Sequence, residues 1–322
     1  MTHAPQPDPA GAAAATTFPS SLTLPLVLGG NVFGWTADAA QSFAVLDAFV
    51  AAGGTQIDTA DSYSAWVPGH LGGESETILG QWLASRRNRD QVFIATKVGA
   101  LTGLDNLAPD TISRAVDDSL RRLQTDYLDL YWAHRDDQTT PQHETLQAFD
   151  TLVRAGKVRF LGASNFSAER LQSAFDISAA NGLASYVAIQ PLYNLLEHAD
   201  FEAGVGKVAG AHGLATLPYS ALASGFLTGK YRPDTQVDSP RAAGLQRYAN
   251  ERGYAVVDAL GSIAAAHDTS IATVALAWLA QQDTVLAPIA SARNLDQLPD
   301  LLALGDLTLS EQELATLRSV AA

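Results

Sequence analysis

The chain has 322 residues, 47% of them hydrophobic, enough to fill the core of one large domain or two modest ones and to exclude disorder over most of its length. Its 20 Lys and Arg against 34 Asp and Glu give a formal charge of −14, and a surface that acidic repels phosphate backbones and anionic head groups, which argues against nucleic acid or a membrane as its main partner. Cysteine is absent, which removes disulfides, thiolate metal sites and cysteine nucleophiles, and fits a reducing cytoplasm.

Residues 1–20 are rich in Ala, Pro and Thr and lack the basic start and apolar run of a secretory signal, so a flexible tail is expected ahead of a single domain spanning 21–322. No run of about 18 apolar residues follows, and a soluble, cytoplasmic protein is expected. The first β-type run is 26–30. Further runs follow at 56–60, 92–97, 127–134, 158–164, 186–190, 214–219 and 284–289, each separated from the next by segments of helical spacing. The clearest predicted helix is Pro109–Leu123, where Ile112, Val116, Leu120 and Leu123 share one face and Pro109 suits the first turn. Between Tyr219 and about Val256 a stretch holding Gly225, Gly229, Pro233, Pro240, Gly244 and Gly253 predicts a long loop, mobile without ligand, that serves as a lid or a binding loop. Near the end, Ser310 with Glu313 three residues on has the spacing of a capping box.

Strand and helix alternate throughout, which implies a parallel sheet covered by helices. A doubly wound sheet should carry G-x-G-x-x-G after an early strand, but Gly29-Gly30 is followed by Asn31, Val32 and Phe33. Eight repeats in this length predict an α/β fold of the (β/α)8 TIM-barrel type, a single domain with a long loop after the seventh strand.

In such a barrel the chemistry sits where strands end, which selects Asp58, Tyr63, Lys97, His134, Ser164, Asn165, Gln190 and Tyr219. Asp58 and Lys97 lie in apolar strands, and pairing across neighbouring strands answers the burial problem of both; the same pair has a purely structural reading. An ammonium beside Tyr63 would lower the phenol pKa toward neutrality, making it a proton donor, while His134 orients a carbonyl oxygen. Ser164 and Asn165 have an alternative role as helix caps. A metal site of Asp58, Asp61, His134 and Asp136 is a further alternative, opposed by the positive charge of Lys97, and no metal is expected.

These residues resemble the aldo-keto reductase superfamily, in particular its bacterial, potassium-channel β-subunit-like branch. The resemblance runs from about Leu26 to Leu304 and is carried by Ile57-Asp58-Thr59-Ala60, Asp61-Ser62-Tyr63, Lys97, Asp129-Leu130-Tyr131-Trp132-Ala133-His134 and Gly162-Ala163-Ser164-Asn165-Phe166-Ser167. It implies that Asp58, Tyr63, Lys97 and His134 are catalytic in NADPH-dependent reduction of an aldehyde or ketone to an alcohol. It also implies that Ser164, Asn165 and Gln190 hold the nicotinamide carboxamide, that Tyr219 stacks on the ring, that Ser220 contacts the cofactor, and that Leu222 and Ser224 lie along the pyrophosphate. Ser291, Arg293 and Gln297 fall at the adenosine end, where the fork of Arg293 suits a 2′-phosphate and favours NADP(H); Leu301 replaces an Asn that commonly contacts adenine. Phe33, Trp35 and Trp66 are expected to wall the pocket for a small-molecule carbonyl substrate. The same branch leaves a second reading open, an NADPH-binding redox sensor or scaffold with little turnover.

Overall fold

A computed structural model describes residues 17–233 and 244–322. Eight parallel strands form one sheet: β1 (Val27–Gly29), β2 (Gln56–Asp58), β3 (Phe93–Val98), β4 (Leu128–Ala133), β5 (Val158–Ser164), β6 (Tyr186–Gln190), β7 (Ala215–Thr216) and β8 (Ile289–Ala290). Their order is β7-β6-β5-β4-β3-β2-β1-β8. The two edges are tied as well: Leu286 N donates to Thr216 O at 2.9 Å and Ile289 N to Pro218 O at 2.9 Å. This curled parallel sheet wrapped by helices is consistent with the (β/α)8 fold.

Side-chain alternation explains why the interior is apolar at one end and polar at the other. On β3 the inward series is Phe93, Ala95, Lys97; on β4 it is Leu130, Trp132 and then His134; on β5 it is Phe160, Gly162, Ser164. Val27, Ala188, Leu217, Ala287 and Ile289 complete this inner apolar cluster. Gly162 is opposite Trp132 in the ladder, and a Cβ there would lie 2.2 Å from the indole, so the wide ring fits the interior only because its neighbour is glycine. The odd-phase partners, such as Ile94, Val98, Tyr131, Leu161 and Ile189, face outward into the larger core between sheet and helices.

The surrounding helices are α1 (Ala39–Ala51), α2 (Glu74–Arg86), α3 (Pro109–Leu123), α4 (Gln142–Arg154), α5 (Ala168–Asn181), α6 (Ala199–Ala203), α7 (Val205–Ala211), α8 (Glu251–Ala266), α9 (Ile271–Ala280), α10 (Leu298–Leu302) and α11 (Glu311–Ala321). Helix α3 has the predicted bounds and buries Ile112, Val116, Leu120 and Leu123 against the sheet. The capping box of Ser310 and Glu313 opens α11. No single helix among the described residues is long and apolar enough to cross a membrane.

Several strands are shorter than the runs read in the sequence, with 56–60 reduced to β2 and 214–219 to β7, and the largest differences lie at the eighth strand and the N-terminal segment. The eighth strand begins at Ile289 rather than Thr284, because Thr284 takes a left-handed conformation (φ 68°) within a turn and the ladder starts only after Pro288. Phe18, in the segment read as tail, packs edge-on against Phe93 and Phe160 at 5.9 and 5.2 Å and covers the apolar end of the sheet. Residues 1–16 of that tail lie outside the described residues. So do 234–243 of the predicted loop, whose described parts include short 3-10 turns at Ala223–Thr228 and Gln246–Tyr248.

Candidate active site

Lys97, at the polar end of β3, is fully buried. Its Nζ donates to Asp58 Oδ2 at 2.5 Å, to Thr59 O at 2.7 Å and to Tyr63 Oη at 3.0 Å, which uses all three ammonium donors. Asp58 is held from its other side by Gln190 Nε2 at 3.0 Å, so β2, β3 and β6 fix one carboxylate. Breaking such a buried pair by removing one partner costs about 3–5 kcal/mol, whereas keeping it contributes little net stability. The arrangement is therefore better explained by what it does to Tyr63 than by stability. The Tyr63 ring lies 6.1 Å from the His134 ring and 5.8 Å from Trp66, and Trp66 meets Trp35 at 5.5 Å.

The electrostatics of the phenol differ from the sequence expectation. Burial pushes the Tyr63 pKa above its usual value of 10.0, and the opposing pull of Lys97 does not overcome it, in part because Asp58 stands behind the ammonium. Tyr63 thus keeps its proton at neutral pH, as a donor must. Lys97 stays charged: burial lowers its pKa, but Asp58 and Tyr63 together raise it above the ordinary value. Burial, then the charges of Lys97 and Arg135, push His134 well below the ordinary range, so its ring is neutral and has one N–H to offer; its Nδ1 is buried without a partner among the described residues.

Above this cluster opens a groove of about 1260 Å³. Asp58, Tyr63 and His134 line it together with Ser164, Asn165, Gln190, Tyr219, Ser220, Leu222, Ser224, Ser291, Arg293 and Gln297, while Lys97 lies beneath its floor. Ser164 Oγ donates to Gln190 O at 2.8 Å, and Asn165 Nδ2 donates to His134 O at 2.9 Å. Tyr219 Oη donates to Asn165 Oδ1 at 2.8 Å, fixing the ring against the wall. Neither Ser164 nor Asn165 caps α5; that role belongs to Ser167, which accepts from Arg170 N. Leu301 is buried in the wall, and Gln297 is turned inward to accept from Arg293 N at 3.1 Å.

Phe33 does not reach the groove. It is fully buried beside Gly30, where the turn after β1, closed by Phe33 N donating to Gly30 O at 3.0 Å, leaves Val32 on the groove and turns Phe33 away from it. Trp35 and Trp66 are not groove-lining either, and form a shelf on the outer side of Tyr63, with Trp66 50% exposed. The acids weighed as metal ligands diverge: Asp136 receives a bidentate pair from Arg170, Nε to Oδ2 and Nη2 to Oδ1, both at 2.9 Å, and Asp61 is buried with no hydrogen-bond partner for its oxygens among the described residues. Sequence reasoning missed Lys230, Arg135 and Arg247, which also line the groove. The turn at Ala223–Thr228 brings Lys230 back over Gly225, within 3.7 Å of where a Cβ would stand, a proximity that spacing alone does not reveal.

A model of the Aldo/keto reductase family matches residues 25–322. The chain is 33% identical to Protein tas of Escherichia coli, over 92% of this chain and 93% of that protein. It is 32% identical to the uncharacterized oxidoreductase YrpG of Bacillus subtilis, over 92% and 91% of the two chains. It is 30% identical to Norsolorinic acid reductase B of Aspergillus parasiticus, over 90% of this chain and 78% of that protein. Fold and relatives together define an oxidoreductase that acts on carbonyl compounds. The chain belongs to the aldo/keto reductase family.

Proposed function

We propose that the protein is an NADPH-dependent reductase of aldehydes or ketones in which Tyr63 is the proton donor. The observation that carries this reading is the buried Asp58–Lys97 pair holding the Tyr63 hydroxyl, 3.0 Å from Lys97 Nζ, at the wall of a groove of about 1260 Å³. The groove's donors suit the cofactor. Ser164, Asn165 and Gln190 offer hydroxyl and amide groups for a carboxamide, Tyr219 offers a flat ring, and Arg293 and Lys230 line the wall with no carboxylate partner among the described residues. Two such cations at the end formed by β7 and β8 suit the 2′-phosphate and pyrophosphate.

When bound, NADPH supplies the hydride that adds to the carbonyl carbon. Tyr63 gives its proton to the carbonyl oxygen, so hydride and proton together convert carbonyl to alcohol. Lys97 stabilises the phenolate left behind, Asp58 keeps the ammonium in place, and the neutral His134 ring donates a hydrogen bond that orients the oxygen. Alcohol oxidation is the reverse.

The test is NADPH oxidation with a panel of aromatic and aliphatic aldehydes, run in parallel with NADH. Alcohol formed in a one-to-one ratio with NADPH consumed is expected. Tight NADPH binding with no turnover across the panel would support the sensor reading instead. Arg293→Ala is expected to weaken NADPH binding by about ten- to a hundredfold, as the loss of a charge-assisted hydrogen bond predicts, while NADH affinity changes by less than about twofold. Fluorescence titration of both nucleotides checks this, and an equal loss for the two would remove Arg293 from the 2′-phosphate.

A further inference from the structure

Three cations line the groove without a carboxylate partner among the described residues: Arg135, Lys230 and Arg293. Lys230 and Arg293 follow β7 and β8. Arg135 follows β4, which the strand order places across the mouth from β8, away from any phosphate held there. Its acidic neighbours are already committed. Asp136 is neutralised by Arg170, and Asp137 accepts from Leu107 N and from Thr139 N, both at 2.8 Å. Arg135 is exposed, adjoins His134 in the chain, and its charge acts on both the His134 ring and the Tyr219 hydroxyl. In a chain of charge −14, an uncompensated guanidinium beside the reacting end of the groove is an anion receptor.

We propose that Arg135 selects aldehydes or ketones that carry a carboxylate, holding that group in its planar fork while the carbonyl faces Tyr63 and His134. The inference rests on the reductase reading for its substrate, and its chemistry is the bidentate match of guanidinium to carboxylate. Of the acids that line the groove, Asp58 is paired with Lys97 and Asp136 with Arg170, while Asp300 belongs to α10 after β8, across the mouth from Arg135.

The experiment compares 4-carboxybenzaldehyde with 4-nitrobenzaldehyde, of similar shape and no charge. Arg135→Met is expected to lower kcat/KM for the carboxylate by about tenfold or more, mainly through KM, and to change the nitro compound by less than about threefold. Arg135→Lys should restore part of the loss. An equal effect on both aldehydes, or none, would overturn the proposal. Calorimetric binding of 4-(hydroxymethyl)benzoate to the NADPH-loaded protein reads Arg135 without turnover. Binding about tenfold weaker in Arg135→Met supports the assignment, and unchanged binding overturns it. If neither aldehyde is reduced, the reductase reading falls, and the calorimetry alone decides for or against Arg135.

Discussion

Tyr63→Phe is expected to lower kcat for aldehyde reduction by about a thousandfold while leaving NADPH affinity within about twofold of the wild type. The substitution removes one hydroxyl and little else. The ring keeps its edge contacts with Trp66 and His134, and Lys97 keeps Asp58 and Thr59 O as partners. What is lost is the proton for the developing alkoxide, a contribution made only in the transition state. The wild-type pH profile bears on the same point. Because burial holds the Tyr63 pKa above 10.0, the phenol remains protonated through neutral pH and its own alkaline limb in the reduction direction falls above pH 10. Steady-state rates and nucleotide fluorescence measured on the same preparations check both statements, and a variant with more than about a tenth of wild-type kcat would remove Tyr63 from the role of acid.

The second large effect is on stability. Asp61 is fully buried, and burial first and the nearby Glu76 second push its pKa from 3.8 up to about 8, against smaller favourable contributions from Arg122 and Lys97. In the unfolded chain this carboxyl ionises near its ordinary value. Between those two pH values the folded state holds a proton that the unfolded state releases, so the native state loses stability as pH rises and has lost the full amount above about 8. The shift corresponds to roughly 6 kcal/mol. Asp61→Asn cannot ionise and avoids that loss. It should match the wild type in urea denaturation near pH 4 and exceed it by several kcal/mol near pH 9; parallel stability profiles for the two proteins would contradict the assignment.

Much of the candidate site was legible because the barrel obeys simple periodicities. Alternation along β3, β4 and β5 leaves Lys97, His134 and Ser164 at the polar ends of apolar inward series, so polar residues terminating apolar runs pointed to the groove. Helix α3 was legible to the residue because a wide apolar stripe and a leading proline agree on one register. Other features depend on contacts that no local pattern encodes. Phe33 follows β1 as a wall residue would, but the turn at Gly30 sends it inward. The direction of the Tyr63 shift depends on the balance of burial against one ammonium that Asp58 also engages. Lys230 enters the groove through a turn in which Ser224 and Gly225 both have positive φ, 59° and 95°, a conformation that the Ser in the sequence does not advertise. The free charge of Arg135 depends on its acidic neighbours Asp136 and Asp137 being engaged by Arg170 and Leu107 N, contacts that spacing does not encode.

A crystal structure with NADP+ bound would test the proposed site most directly. It is expected to place the nicotinamide ring against Tyr219, its carboxamide on Ser164, Asn165 and Gln190, and its reactive carbon on the side of Tyr63 and His134, with the 2′-phosphate at Arg293. A dinucleotide seated outside the groove, or a nicotinamide turned away from the Tyr63 hydroxyl, would contradict it.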